Sequence, residues 1–187
     1  MAQDKIRQAG VDSPITEQVR EWIGRSSEPL ALPEGFLPTD VRRYIDATGD
    51  ANPLWLDDEF ARRAGYRSRV VPPVVVLESY RRYREAEARD ALNVWREIPL
   101  PENYTDTRNA GSEIEWLGPV YPDDRLIVQH RIADILARQG KAGLGIYVTR
   151  ETAFQNQEGK VVARLKQTTV KLPRPRASAG AGPKEGG

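Results

Sequence analysis

The sequence predicts an α+β fold in which an antiparallel sheet wraps around a long central helix. Three observations support this prediction. Helical patterns fill the first half of the chain, whereas apolar and polar residues alternate in the second half. The four predicted strands follow one another largely through short turns, which favours antiparallel pairing. The longest helical pattern, over residues 73–91, lies before the strands and offers the sheet a helix to enclose.

Three shorter helices are predicted before the long one. The first follows Ser13-Pro14, the second runs over Val41–Thr48 and the third runs over Asp58–Ala64. A loop rich in proline and glycine at 24–38 separates the first two helices. Thr39 or Asp40 is the expected N-cap of the second helix, and Gly49 can adopt the left-handed conformation that ends it. We expect Asp57 to cap the third helix and Gly65 to close it.

Pro72-Pro73 marks the start of the long helix, because the first N–H groups of a helix have no partner and proline lacks an N–H. Strands are predicted where every second residue is apolar: around Ile114 and Trp116, over Leu126–Ile132, over Leu144–Phe154 and over Lys160–Leu172. The segment Asn156-Gln157-Glu158-Gly159 is typical of the hairpin turn that would join the last two strands.

The composition favours one globular domain at 13–172, with a polar leader at 1–12 and a disordered tail at 173–187. Hydrophobic residues make up 39% of the 187 residues, but no apolar run is long enough to span a bilayer. The N-terminus lacks an apolar secretion segment, so we expect a cytoplasmic protein without a membrane partner. A net charge of +1, and arginines at 81–89 that alternate with glutamates, argue against nucleic-acid binding.

The chain contains no cysteine and one histidine, His130. Disulfides, thiolate metal sites and a cysteine nucleophile are therefore excluded, and one chain cannot build a histidine-rich metal site. His130 shares its side of a predicted strand with Leu126, Val128 and Ile132, so we expect it on a packed face or at a subunit interface. No metal or other cofactor is predicted.

The most informative segment runs from Tyr44 to Asp57 and reads YIDATGDANPLWLD. It resembles the R-specific enoyl-CoA hydratase motif, a tyrosine-bearing helix followed by Gly-Asp-x-Asn-Pro-aliphatic-His-x-Asp. The matching residues are Tyr44, Gly49, Asp50, Asn52, Pro53, Leu54 and Asp57. Similarity continues through 116–120, 125–135 and 156–159. The chain thus resembles the MaoC-like hydratase/dehydratase family, and within it the fungal fatty-acid-synthase dehydratase region, which implies a single hotdog fold.

The resemblance implies a chemistry that this chain cannot complete. In the family an Asp and a His hold one water between them, and backbone N–H groups at the start of the central helix stabilise the thioester oxyanion. Asp50 occupies the Asp position, but the His position is Trp55, whose indole N–H only donates and does not titrate. Pro72-Pro73 stands where active relatives carry His-Gly, so the expected oxyanion donor is missing at Pro73.

We therefore expect a non-catalytic subunit of a heteromeric enoyl-CoA hydratase or 3-hydroxyacyl dehydratase, which forms part of the substrate tunnel and the scaffold. Its partner would be a MaoC-like hotdog subunit that carries the Asp/His dyad, and its substrate an acyl-CoA thioester. Two alternatives stay open. One is a homodimeric hydratase or acyl-CoA thioesterase that uses Asp50, and the other is a non-enzymatic acyl-CoA-binding hotdog protein.

The candidate site residues each have a structural interpretation as well. Asp50 is either a residual base or a loop residue that accepts backbone N–H bonds after Gly49. The candidate substrate-binding residues are Asn52, Trp55, Arg69, Pro72 and Pro73. Asn52-Pro53 also suits a turn, and Trp55 would fill the space of the histidine and its water. Arg67, Arg69 and Lys141 could meet CoA phosphates, or they could be ordinary solvated side chains.

Overall fold

The computed structural model describes residues 13–32, 34–79, 97–141 and 143–174. All strand pairs in its five-stranded sheet are antiparallel, and the strand order is β1-β3-β4-β5-β2. The strands are β1 Leu30–Ala31, β2 Asp106–Trp116, β3 Ile127–Gly140, β4 Gly143–Gln155 and β5 Val161–Leu172. The helices are α1 Glu17–Arg20, α2 Pro38–Thr48, α3 Pro53–Leu56, α4 Asp58–Arg63 and α5 Pro73–Glu78.

The four predicted strands are confirmed, and the turn at 156–159 joins β4 to β5. Two short elements were missed. β1 lies inside the predicted loop and exists through its pairing with Ile127 and Val128 of β3, which is a tertiary contact. The four-residue helix α3 was also absent from the prediction. Strand β3 continues through Gly140, and the turn to β4 begins at Lys141.

Helix α2 begins earlier than predicted, at Pro38. Proline is favoured at the first helical position, so the N-cap is Leu37 rather than Thr39 or Asp40. Asp40 is instead the third helical residue, and its carboxylate accepts the Leu37 N–H at 2.9 Å. Gly49 ends the helix with φ 72°, as predicted.

The caps of the next helix are confirmed. Asp57 accepts the N–H groups of Glu59 and Phe60 at 2.8 and 3.0 Å, and Gly65 follows the helix with φ 92°. The long central helix is described only as α5. Its predicted continuation through residue 91, the arginines at 81–89, the leader at 1–12 and the tail from 175 onward lie outside the described residues.

One face of the sheet, which we call the inner face, carries two buried apolar clusters. The first joins α5 to β3, β4 and β5, and includes Val76, Val128 and Phe154. The second joins α1 and Ile98 to the far ends of β3 and β4. His130 lies between Val128 and Ile132 on the same side of β3, so it sits where the two clusters meet. This packing explains why alternate residues of these strands are apolar.

A buried carboxylate ties three loop segments together beside the first cluster. Asp124 is 2% exposed, and it accepts hydrogen bonds from the Tyr121 backbone N–H, the Arg67 guanidinium and the Gln157 amide at 2.8, 2.9 and 3.1 Å. These partners belong to the loop after α4, the turn before β3 and the β4–β5 turn. Neighbouring Asp123 also pairs with Arg67, but its side chain is 66% exposed.

We predict that Asp124→Ala lowers the free energy of unfolding by about 3 kcal/mol, because it leaves three donors without their acceptor in a buried place. Asp123→Ala should cost less than about 1 kcal/mol, since its ion pair is exposed to solvent. Urea unfolding of both variants measures the difference. Equal losses would contradict the assignment of the stabilising role to Asp124.

Candidate functional site

The site is built where α2 ends and α3 begins. Gly49 turns the chain at the end of α2, and Asp50 follows it. Asn52 then caps α3 by accepting the Leu54 N–H on its side-chain oxygen at 3.0 Å, which is the turn-forming role expected of it. The single turn of α3 brings Trp55 back toward Asp50, so residues five apart in sequence are in contact.

Both carboxylate oxygens of Asp50 accept hydrogen bonds. Oδ2 receives the Tyr44 hydroxyl at 2.9 Å and the Trp55 indole N–H at 3.3 Å, whereas Oδ1 receives the Asn52 backbone N–H at 3.3 Å. We call Tyr44, Asp50 and Trp55 the Asp50 clamp. The expected backbone contact is therefore present. Trp55 therefore contacts Asp50 directly.

The electrostatics of the clamp follow from its hydrogen bonds. The pKa of Tyr44 is raised above its usual value. The largest cause is its hydrogen bond to the Asp50 carboxylate, followed by desolvation of the hydroxyl and by the negative charge of Asp50. The hydroxyl therefore stays protonated and keeps donating at neutral pH. An indole N–H does not titrate. The clamp thus holds its carboxylate as an acceptor, and its indole cannot exchange a proton as a histidine would.

The start of α5 lies on the same side of the sheet as the Asp50 clamp. Helices α2 and α5 are in contact, and Tyr44 and Leu77 both pack against the first apolar cluster. Pro72 is fully buried and its carbonyl accepts the N–H of Val75 at 2.9 Å. Pro73 is the first helical residue, so the N–H that an oxyanion would use is absent there.

The two loop arginines are ion-paired, which the sequence did not predict. Arg67 contacts Asp123 and Asp124 at 2.8 and 2.9 Å and stacks over the Tyr121 ring at 4.1 Å. Arg69 Nε lies 3.3 Å from the Asp58 carboxylate. Both side chains are still about half exposed, at 49% and 40%. A role of Arg69 toward a CoA phosphate stays a prediction, as do the substrate contacts of Asn52, Trp55, Pro72 and Pro73.

His130 lies on a packed face, which is one of the two places predicted for it. It is 1% exposed, and its Nδ1 lies 2.9 Å from the Thr152 hydroxyl. Burial, and to a smaller extent the charge of Arg150, lower the pKa of His130 to about 3. The ring is therefore neutral at physiological pH and belongs to the core.

In the part of the chain that the structure describes, no three acidic or histidine side chains come together as a metal site. Across those same residues no helix is both long and apolar enough to cross a membrane.

Tyr44 is the one residue of the Asp50 clamp whose role the sequence did not reveal. It matched the motif, but its bond to a residue six positions later depends on how Gly49 turns the chain.

Comparison with known proteins places this geometry in context. A family model described as the FAS1-like dehydratase domain region matches residues 21–165. The chain is 29% identical over 158 residues to the probable enoyl-CoA hydratase alpha subunit of Thermomonospora curvata, covering 79% of this chain and 48% of that protein. The chain thus spans about half the length of this relative.

Two solved structures share the fold at low identity. A chain of the ChsH1-ChsH2 complex from Mycobacterium tuberculosis superposes with a TM-score of 0.71 at 18% identity, covering 86% of this chain and 97% of that one. A chain of the truncated HadBC (3R-hydroxyacyl-ACP dehydratase) complex from the same organism gives 0.57 at 18% identity, covering 80% and 96%. With the sheet order described above, these likenesses confirm the predicted α+β hotdog fold.

The clamp predicts the titration of Tyr44. Asp50→Asn should lower the pKa of Tyr44 toward its usual value of 10.0, because the amide removes the negative charge beside the hydroxyl. NMR titration of ¹³Cζ-labelled tyrosine measures this, with Tyr44→Phe identifying the signal. Asp46→Asn, which removes an exposed carboxylate from the same helix, is the matched control and should leave the pKa unchanged. An identical Tyr44 pKa in the parent chain and the Asp50→Asn variant would refute the clamp.

His130 predicts an acid-dependent loss of stability. Between pH 6.5 and about 3, the unfolded chain binds a proton at His130 that the folded chain does not. The free energy of unfolding should therefore fall as pH falls, with a contribution of up to about 1.4 kcal/mol per pH unit from this residue. His130→Phe removes that contribution, so its stability should fall less steeply in this window. Urea unfolding of both proteins measures this. If the free energy of unfolding changed equally with pH in the parent chain and in His130→Phe, the folded chain would not hold His130 neutral.

Proposed function

The chain belongs to the FAS1-like dehydratase-region family of hotdog hydratases and dehydratases, and we propose that it is a subunit of a heteromeric enoyl-CoA hydratase or 3-hydroxyacyl dehydratase without chemistry of its own. A MaoC-like hotdog partner would supply the Asp/His dyad. This chain would supply one wall of the acyl-CoA site and the scaffold that positions it. The complex needs no cofactor and works in the cytoplasm.

The Asp50 clamp is the observation that carries the proposal. Hydration of an enoyl thioester needs one group to activate water and another to protonate the α-carbon. Here the carboxylate already accepts three hydrogen bonds, two on Oδ2 from Tyr44 and Trp55 and one on Oδ1 from the Asn52 backbone. Asp50 is thereby used as a structural acceptor, and Trp55 fills the histidine position with a group that cannot return a proton.

The start of α5 supports the same conclusion through a different catalytic element. Oxyanion stabilisation by a helix depends on a free N–H at its first residues. Proline at Pro73 removes that donor at the first helical residue. Two separate parts of the reaction are therefore impaired in one chain, while the fold around them is retained. A subunit that relies on a partner accounts for both.

Strand β2 supports the presence of a partner. It is at the edge of the sheet, and every residue from Thr107 to Trp116 is exposed. Ile114 and Trp116 are each 42% exposed, although they continue the rows of buried Leu165 and Ala163 on β5. A long edge strand with exposed apolar side chains suits pairing with another strand. The two-component names ChsH1-ChsH2 and HadBC among the structural relatives support a hotdog protein as that partner.

Co-expression tests the proposal. We expect no measurable hydration of a trans-2-enoyl-CoA by this chain alone, and clear activity once a hotdog subunit with an Asp/His dyad, such as the product of a neighbouring gene, copurifies with it. Asp50→Asn should change the activity of the complex by less than about twofold. The equivalent substitution of the partner's catalytic aspartate should reduce it by about a hundredfold or more, since it removes general-base catalysis.

The alternatives give different results. Strong turnover by the lone chain that Asp50→Asn abolishes would establish a self-sufficient homodimer, and release of free thiol would identify it as a thioesterase. Saturable acyl-CoA binding without turnover, and without any copurifying subunit, would establish a non-enzymatic binding protein. Either outcome overturns the proposal.

A further inference from the structure

The two edges of the sheet differ in what they offer to another chain. At one edge β1 consists of Leu30 and Ala31, and Pro29 directly before it has no N–H for a neighbouring strand. At the other edge β2 runs for 11 residues without a proline. Its register against β5 shifts between Asn109 and Gly111, so its regular part covers residues 111–116. An added strand is therefore expected along 111–116.

The outer face of the sheet, opposite the inner face, carries charges of alternating sign. One row of directly opposed residues crosses β3, β4, β5 and β2 in this order: Arg131, Glu151, Lys166 and Glu113. In the neighbouring row, Arg164 of β5 pairs with Glu115 of β2 at 3.2 Å. Both rows thus end in a carboxylate at the free edge of the sheet.

Along its regular part, β2 alternates acidic and apolar side chains. Glu113 and Glu115 point to the outer face, whereas Ile114 and Trp116 point to the inner face and are each 42% exposed. Glu115 stays 58% exposed in its ion pair. Directly opposed residues of an antiparallel pair share a face, so a strand that covers Ile114 and Trp116 also approaches both carboxylates. The charge of the incoming strand therefore decides whether pairing is favourable.

A second copy of this chain fits this edge poorly. Two identical antiparallel strands pair about a two-fold axis, which places one residue opposite its own counterpart. An axis at residue 114 brings the two Ile114 side chains together, but it also places Glu113 opposite Glu115 twice. An axis at residue 115 places Ile114 opposite Trp116 and Glu115 opposite its counterpart. Both registers join the apolar side chains only by opposing like charges, which destabilises a strand pair.

We propose that Glu113 and Glu115 select the chain that pairs with β2. The strand they accept presents lysine or arginine opposite both carboxylates and apolar residues between them, and a second copy of this chain is rejected. The basic residues continue the alternating rows beyond the edge, while the apolar residues cover Ile114 and Trp116. The inference rests on the proposed function for the identity of the partner as a hotdog subunit, and it adds the charge rule that selects that subunit.

Charge reversal within this chain tests the rule. The double variant Glu113→Lys/Glu115→Lys gives β2 the charges expected of the partner strand, so it should pair with the parent chain. Sedimentation velocity of an equimolar mixture should give a dissociation constant at least about tenfold lower than that of either protein alone. Salt at about 1 M should reduce this difference, because it screens charges within about 3 Å. A mixture that does not associate, or a parent chain that dimerises as tightly by itself, overturns the proposal.

Glu28→Lys/Glu158→Lys is the matched control. It changes the net charge equally, but Glu28 precedes β1 at the other edge, Glu158 lies in the β4–β5 turn, and both are exposed. Its mixture with the parent chain should associate no more tightly than the parent alone. Association equal to that of the β2 variant would show general charge attraction and overturn the proposal.

A neutral variant covers the case in which the reversed chain does not fold, as judged by its unfolding midpoint. Glu113→Gln/Glu115→Gln removes the opposed charges without adding new ones. The lone variant should therefore self-associate at least about tenfold more tightly than the parent chain. Unchanged self-association contradicts the role of the two glutamates.

The complex obtained by co-expression provides a separate readout. There, Glu113→Lys/Glu115→Lys should weaken binding of the partner by about tenfold or more, and the control pair should change it by less than about twofold. Unchanged partner binding overturns the charge rule and leaves the proposed function intact. Failure to find any partner contradicts the proposed function alone, because the mixing experiment uses only this chain.

Discussion

The register of β3, β4 and β5 is the constraint on which the arrangement of this protein depends. Because side chains alternate between the two faces, one register places Val128, Phe154 and Leu165 together on the inner face and buries them beneath α5. The same register places His130 beside Thr152 in the core. A slip of one residue would move all of these side chains to the opposite face.

The Asp50 clamp combines the turn and helix caps of the motif with a tryptophan at position 55. Gly49, Asn52 and Asp57 still perform the backbone tasks of the motif, as turn and helix caps. Trp55 keeps a donor directed at Asp50, so the carboxylate remains satisfied after the histidine is lost. A buried or half-buried carboxylate without donors would be costly, which is a physical reason for tyrosine and tryptophan to hold it.

Charge is used differently at Asp124 and at Asp50. At Asp124 a buried carboxylate is balanced by Arg67 and joins loop segments, so its role is structural. At Asp50 neutral donors hold the carboxylate beside the start of α5.

The sequence by itself determined the α+β class, the four long strands, most helix caps and the absence of a histidine at Trp55. These features depend on residue type, two-residue alternation and local spacing, all of which are properties of neighbouring residues. The strand β1, the bond from Tyr44 to Asp50 and the ion pairs of Arg67 were decided only by the tertiary structure. Most of these contacts join segments that are far apart in the chain, and the tyrosine contact depends on a single left-handed glycine. Strand register, backbone turns and long side-chain rotamers set such distances, and no local pattern of residues encodes them.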